Sequence, residues 1–129
     1  MSLNILIVDD SQIVRRVIKK TLDIAEIPYT ELHQAGNGKE ALDLLDKNWI
    51  DLVFTDINMP IMGGVEMIKK LNADEILKDV PIVVVSTEGS ASRIDQLKKN
   101  GVSAYLRKPV TPEQLRDIVF DLIGGEQDE

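Results

Sequence analysis

The sequence predicts an α/β fold, a doubly wound five-stranded parallel sheet, on three observations. Short apolar runs alternate with helix-period segments along the chain, the pattern of successive βα units. The third and fourth runs, Leu52-Val53-Phe54-Thr55 and Ile82-Val83-Val84-Val85, are almost wholly apolar, as strands covered by helices on both faces are. Acidic residues stand where two runs stop, Asp9 and Asp10 after Ile5-Leu6-Ile7-Val8 and Asp56 after Thr55. Open α/β sheets place their ligands at that carboxyl edge.

In chain order, the first strand is read as Asn4 to Val8. Val14, Val17, Ile18, Thr21 and Leu22 then form an i, i+3, i+4 stripe, with Ser11 as N-cap and Arg15, Arg16, Lys19 and Lys20 on the polar face. The second strand is Thr30 to Gln34. Asn37 stands three residues before Glu40, a capping-box-like start, followed by Ala41, Leu44 and Leu45 on one face. The third strand is Leu52 to Thr55, and its helix starts near Gly64. The fourth, Ile82 to Val85, precedes a helix burying Ile94 and Leu97 and stopped by Gly101. The fifth is Val102 to Leu106, and Thr111-Pro112-Glu113-Gln114 opens the last helix with cap, proline and glutamine in their preferred places. Trp49 is expected to cap the core before the third strand.

Composition narrows the function. The 129 residues suit one domain, read as 1–123, with an acidic tail, 124–129, expected to be mobile. A net charge of -7 argues against direct nucleic-acid binding. Cysteine is absent, which excludes thiolate catalysis, Cys-ligated zinc and a disulfide framework and only permits a reducing compartment; the cytoplasm is the default expectation. No apolar stretch approaches the roughly 20 residues of a membrane span, and Met1-Ser2-Leu3 lacks a signal-like charged start, so no membrane insertion is expected.

If the first and third strands are neighbours, Asp9, Asp10 and Asp56 share one pocket. Carboxylates that close repel by about 1 kcal/mol per pair in water and roughly 4 kcal/mol near a protein surface. A hard divalent cation with oxygen ligands offsets this, and Mg²⁺ commonly arrives with a phosphate. Alone, Asp9-Asp10 reads as a turn or cap, Lys108 as a surface lysine and Ser86 as a strand-ending hydroxyl. Their joint placement after the first, third, fourth and fifth strands carries the functional reading.

The run Thr55-Asp56-Ile57-Asn58-Met59-Pro60-Ile61-Met62-Gly63-Gly64, with Ser86-Thr87 and Lys108-Pro109 after later strands, resembles the receiver domain of two-component response regulators, in particular single-domain chemotaxis regulators of the CheY type. The likeness extends from Ile5 to about Leu122. It implies a flavodoxin-like (βα)5 fold with strand order 2-1-3-4-5, the order CheY itself exemplifies. It implies that Asp56 accepts a phosphoryl group from a histidine kinase, and that Asp10, Asp56 and the backbone carbonyl of Asn58 bind Mg²⁺, with Asp9 holding water or orienting its neighbour. Lys108 is then the cation for the phosphoryl group, paired with Asp56 beforehand. Ser86 is its hydroxyl donor, Tyr105 the aromatic that swings inward, and Lys108-Pro109 a cis peptide. The implied partners are the kinase and a downstream protein target, with the flagellar motor switch as family-level candidate. A monomer is expected, with a dimer as the alternative. The fourth helix, fifth strand and fifth helix, with Arg93 and Arg107, would form the partner face. The protein would be a switch and not a turnover enzyme, catalysing only its own phosphorylation and hydrolysis.

Three departures stand out. Gly63 replaces a common Asp cap, and Thr87 puts bulk beside the phosphoryl site where Ala or Gly is frequent. Ser86 also replaces the commoner Thr. Other readings are a receiver belonging to a longer transcriptional or enzymatic regulator, a Mg²⁺-dependent aspartyl phosphatase or phosphotransferase, and an FMN carrier. The phosphatases usually carry Asp-x-Asp after the first strand, and Asp9-Asp10 would repel a flavin phosphate. His33, Met59, Met62 and Met67 read as packing or surface residues.

Overall fold

Strands β1 (Leu3–Val8), β2 (Tyr29–Ala35), β3 (Leu52–Thr55), β4 (Ile82–Ser86) and β5 (Ala104–Arg107) pair in parallel in the order β2-β1-β3-β4-β5. This is a computed structural model, and it describes residues 2–87 and 90–124. The expected tail from Gly125 onward lies outside the described residues. Five helices connect or follow the strands: α1 (Gln12–Ile24), α2 (Gly38–Lys47), α3 (Gly64–Asn72), α4 (Ala91–Lys99) and α5 (Pro112–Leu122).

Alternation along the strands divides the core into two layers. Leu6, Val8, Val53 and Val84 face α2, α3 and α4, packing with Ala41, Leu45, Met67, Ile68, Leu71 and Leu97. Ile5, Ile7, Leu52, Phe54, Val83 and Val85 face the other way, onto Ile18 and Leu22 of α1 and Leu115 and Val119 of α5. Fully burying each such side chain contributes about 1.5–3 kcal/mol, so these layers hold the sheet ends in place.

Helix starts follow the local chemistry. Ser11 Oγ accepts the Val14 N–H, Ser90 Oγ the Arg93 N–H, and Thr111 and Gln114 complete a reciprocal capping box. At α2, Asn37 accepts the Glu40 N–H, but the Glu40 carboxylate takes the Gly36 N–H instead of closing the expected box.

Three further expectations are corrected. Val102 and Ser103 are not in the fifth strand: Gly101 ends α4 at φ 90°, and the Val102 N–H turns back to Leu97 O at 3.2 Å, so it cannot serve a ladder. Val17, assigned to the buried stripe of the first helix, is 54% exposed, because the β1 side of α1 is filled by Ile18, Thr21 and Leu22. Trp49 does not cap the core: it is 76% exposed, since its indole N–H is drawn to Asp51 Oδ1 at 2.9 Å.

Candidate functional site

Register brings the polar residues together. Val8 of β1 pairs with Thr55 of β3, and the Asp56 N–H donates to Val8 O at 2.9 Å, so Asp9 and Asp56 leave adjacent strands at the same level. Thr55 pairs with Val84, which sets Ser86 beside this exit, and Ser86 pairs with Arg107, so that Lys108 follows at the edge. The Lys108 N–H donates to Ser86 O at 2.9 Å, and Lys108-Pro109 is cis.

One carboxylate oxygen from each of Asp9, Asp10 and Asp56 lies within 4.8 Å of the others. Asp9 is buried, Asp10 exposed and Asp56 intermediate. Asp9 Oδ1 accepts the Ser11 N–H at 2.9 Å and Asp9 Oδ2 the Lys108 ammonium at 2.9 Å. Asp56 Oδ1 accepts the Ile57 N–H at 2.7 Å, while Oδ2 faces Lys108 Nζ at 3.3 Å. Lys108 therefore bridges two carboxylates, one more than the sequence suggested. Burial pushes its ammonium pKa down, but the hydrogen bond to Asp9, the charges of Asp56 and Asp9 and the bond to Asp56 outweigh this and leave it raised. Oxygen-only donors of this kind fit a hard divalent cation better than a soft one.

The remaining residues surround this cluster. Ser86 is buried at the end of β4, and Thr87 is exposed next to it. Asn58 is exposed in the loop after β3. Tyr105 packs against the α2/α3/α4 layer, and its hydroxyl is buried with no hydrogen bond among the described residues.

Two contributors were not singled out by sequence reasoning. Arg15, read as part of a solvated face, donates from Nη1 to the Asp9 carbonyl at 2.5 Å and from Nε to Gln34 Oε1 at 3.0 Å, tying the acidic loop to β2. The signal available was its place one turn after the Ser11 cap. Gly64, read only as a helix start, lets α3 close on the acid: a Cβ there would stand 2.4 Å from the Asp56 carbonyl oxygen. Gly64 N–H donates to Ile57 O at 2.7 Å, fixing that approach.

Residues 5–120 match the sequence model of the response regulator receiver domain. The chain belongs to this family. The receiver is 40% identical over 123 residues to the chemotaxis protein CheY homologue of Campylobacter jejuni, covering 95% of this chain and 93% of the relative. It is 37% identical to chemotaxis protein CheY1 of Helicobacter pylori, over 95% and 98% of the two chains. Among solved structures it matches chemotaxis response regulator CheY4 of Vibrio cholerae with a TM-score of 0.83 at 32% identity, covering 95% of this chain and all of that one. The receiver is thus a CheY-like signalling protein with the flavodoxin-like (βα)5 fold, which displaces the phosphatase and flavin-carrier alternatives. Among the described residues no helix is long and apolar enough to cross a membrane.

Proposed function

We propose that this receiver is a phosphorylation-operated switch in which Asp56 takes a phosphoryl group from the phosphohistidine of a histidine kinase. The observation that supports it is the convergence of Asp9, Asp10 and Asp56 within 4.8 Å, with Lys108 bonded to two of them. An Asp56 carboxylate oxygen attacks phosphorus, the new O–P bond forms as the N–P bond breaks, and the electron pair leaves with the imidazole, which takes up a proton. The Ile57 N–H fixes the carboxylate plane, so little reorganisation precedes attack. Lys108 turns its charge from the carboxylates to the phosphoryl oxygens, and Ser86 donates its hydroxyl to one of them. Asp10, Asp56 and the Asn58 carbonyl are the residues to hold Mg²⁺, with Asp9 orienting them or holding water. When bound, the ion neutralises charge on the transferring group.

The output is a shift between two arrangements of the partner face. Tyr105, whose buried hydroxyl lacks a hydrogen bond among the described residues, is the group that follows Ser86. The reading places the domain at 1–123, in the cytoplasm and as a monomer, serving chemotaxis through a protein target such as a flagellar motor switch. It acts on no external substrate.

The test is incubation with Mg²⁺ and a small phosphodonor, followed by mass spectrometry of the modified peptide. The expected label sits on Asp56, is lost in Asp56→Asn and requires Mg²⁺. Label that persists in Asp56→Asn, or settles on another residue, overturns the assignment.

A further inference from the structure

At the amino-terminal end of the sheet, opposite the Asp56 pocket, the α2–β3 and α3–β4 connections enclose a groove of about 290 Å³. Leu45, Ile50, Leu77 and Val80 line it, and Trp49 and Ile76 stand beside it, 76% and 84% exposed. The indole is anchored. Its N–H donates to Asp51 Oδ1 at 2.9 Å, while Asp51 Oδ2 accepts the Asn4 N–H at 2.8 Å and the Asp51 N–H donates to Asn4 O at 2.8 Å, so the ring is tethered to β1. Ile76 is displayed on an ordered turn, because Asp74 Oδ1 accepts the N–H groups of Ile76 and Leu77. Ordered, exposed Trp and Ile on either side of an apolar groove are the side chains that anchor protein interfaces.

Charge selects the occupant. The end of α2 and the two connections carry Asp46, Asp51, Asp74, Glu75 and Asp79 against Lys47 and Lys78, with Asp46 and Lys47 lining the groove itself and Lys78 already paired with Glu75 at 2.9 Å. A second copy would bring like-charged rims together, and an anionic membrane surface would be repelled.

We propose that this groove docks a basic amphipathic segment of a partner protein, its apolar side chains seated between Trp49 and Ile76 and its Lys or Arg residues on the acidic rim. The groove and Asp56 lie at opposite ends of the strands, so docking leaves the acceptor pocket open. Nothing in this proposal depends on phosphoryl transfer.

Trp49 is the chain's single tryptophan and reports its own burial. The full chain is titrated with a synthetic amphipathic helix of Leu and Lys and, in parallel, with its Leu/Glu counterpart. A saturable blue shift of emission is expected with the basic helix alone. Ile76→Ser and Asp46→Lys should each weaken the apparent affinity about tenfold, whereas Ile24→Ser, an exposed site on α1, should leave it unchanged. Circular dichroism of each variant verifies the fold. No saturable shift, an equal shift with the acidic helix, or undiminished affinity in Ile76→Ser overturns the proposal. So does a shift produced by protein concentration alone, which assigns the groove to a second copy, or by phosphatidylglycerol vesicles, which assigns it to lipid.

Discussion

Lys108 Nζ donates to Asp9 Oδ2 at 2.9 Å across 99 positions of sequence, and the carboxylate it meets is only 2% exposed. The lysine thus offsets a buried negative charge in addition to facing the proposed phosphoacceptor. In Lys108→Met the carboxylates of Asp9 and Asp56 lose the ion pairs that the lysine makes with them. The expected loss is about 1–3 kcal/mol, below that of a fully buried pair because solvent screens the partly exposed ammonium. Urea denaturation measures it, and added Mg²⁺ should recover part of the loss in the variant.

Tyr105 offers the opposite case. Its hydroxyl is buried without a hydrogen bond among the described residues, so Tyr105→Phe removes an unsatisfied group. Stability should be unchanged or rise by up to about 1 kcal/mol. A clear loss in the same urea assay would contradict this.

Gly64→Ala places a methyl group 2.4 Å from the Asp56 carbonyl oxygen, a distance that forces α3 or the β3 end to move. Overpacking of this kind costs about 1–3 kcal/mol. Thermal unfolding should show that cost, and calorimetry should show weaker Mg²⁺ binding because Asp56 moves with its backbone.

Thr87 is exposed and lines a cleft with Lys108 and Pro109, on the approach to the proposed phosphoryl site. Thr87→Ala should shed phosphate faster by opening a path for water. Decay of the phosphorylated protein measured for both chains decides this; equal or slower loss from the variant refutes it.

A polar cluster on α1 and β2 gives a pH signature. Tyr29 Oη donates to Asp23 Oδ1 at 2.6 Å and Lys19 Nζ to Asp23 Oδ2 at 3.1 Å. The bond to Asp23, with burial, holds the Tyr29 phenol above its ordinary pKa; bonds from Tyr29 and Lys19 hold Asp23 below its own. The tyrosine contribution to stability is therefore complete below about pH 10 and lost as pH rises through the raised value, while the aspartate contribution is lost as pH falls through the lowered one. In Asp23→Asn, NMR titration of the Tyr29 ring should give a lower pKa than in the parent.

The sequence disclosed the βα alternation because strands buried on both faces are written as apolar runs, and Ser11, Asn37 and Thr111 announced helix starts through their side chains. Asp9, Asp10 and Asp56 were visible as strand-ending acids for the same reason. What escaped depended on contacts distant in sequence. Trp49 is apolar by composition but is held outside by Asp51, a bond no hydropathy pattern encodes. Val102 has every strand preference, yet its amide is claimed by the end of α4. Lys108 could be placed at the sheet edge, but its choice of Asp9 as well as Asp56 depended on side-chain reach.

Asp9, Asp56, Ser86 and Lys108 hang from four different strands, and none is near another along the backbone except through the ladders between β1, β3, β4 and β5. Parting β1 from β3 separates Asp9 from Asp56, and parting β4 from β5 frees the strand that carries Lys108. Under the proposed chemistry partial melting therefore costs the chain its phosphoryl acceptance, and the integrity of the sheet is itself a condition for responding.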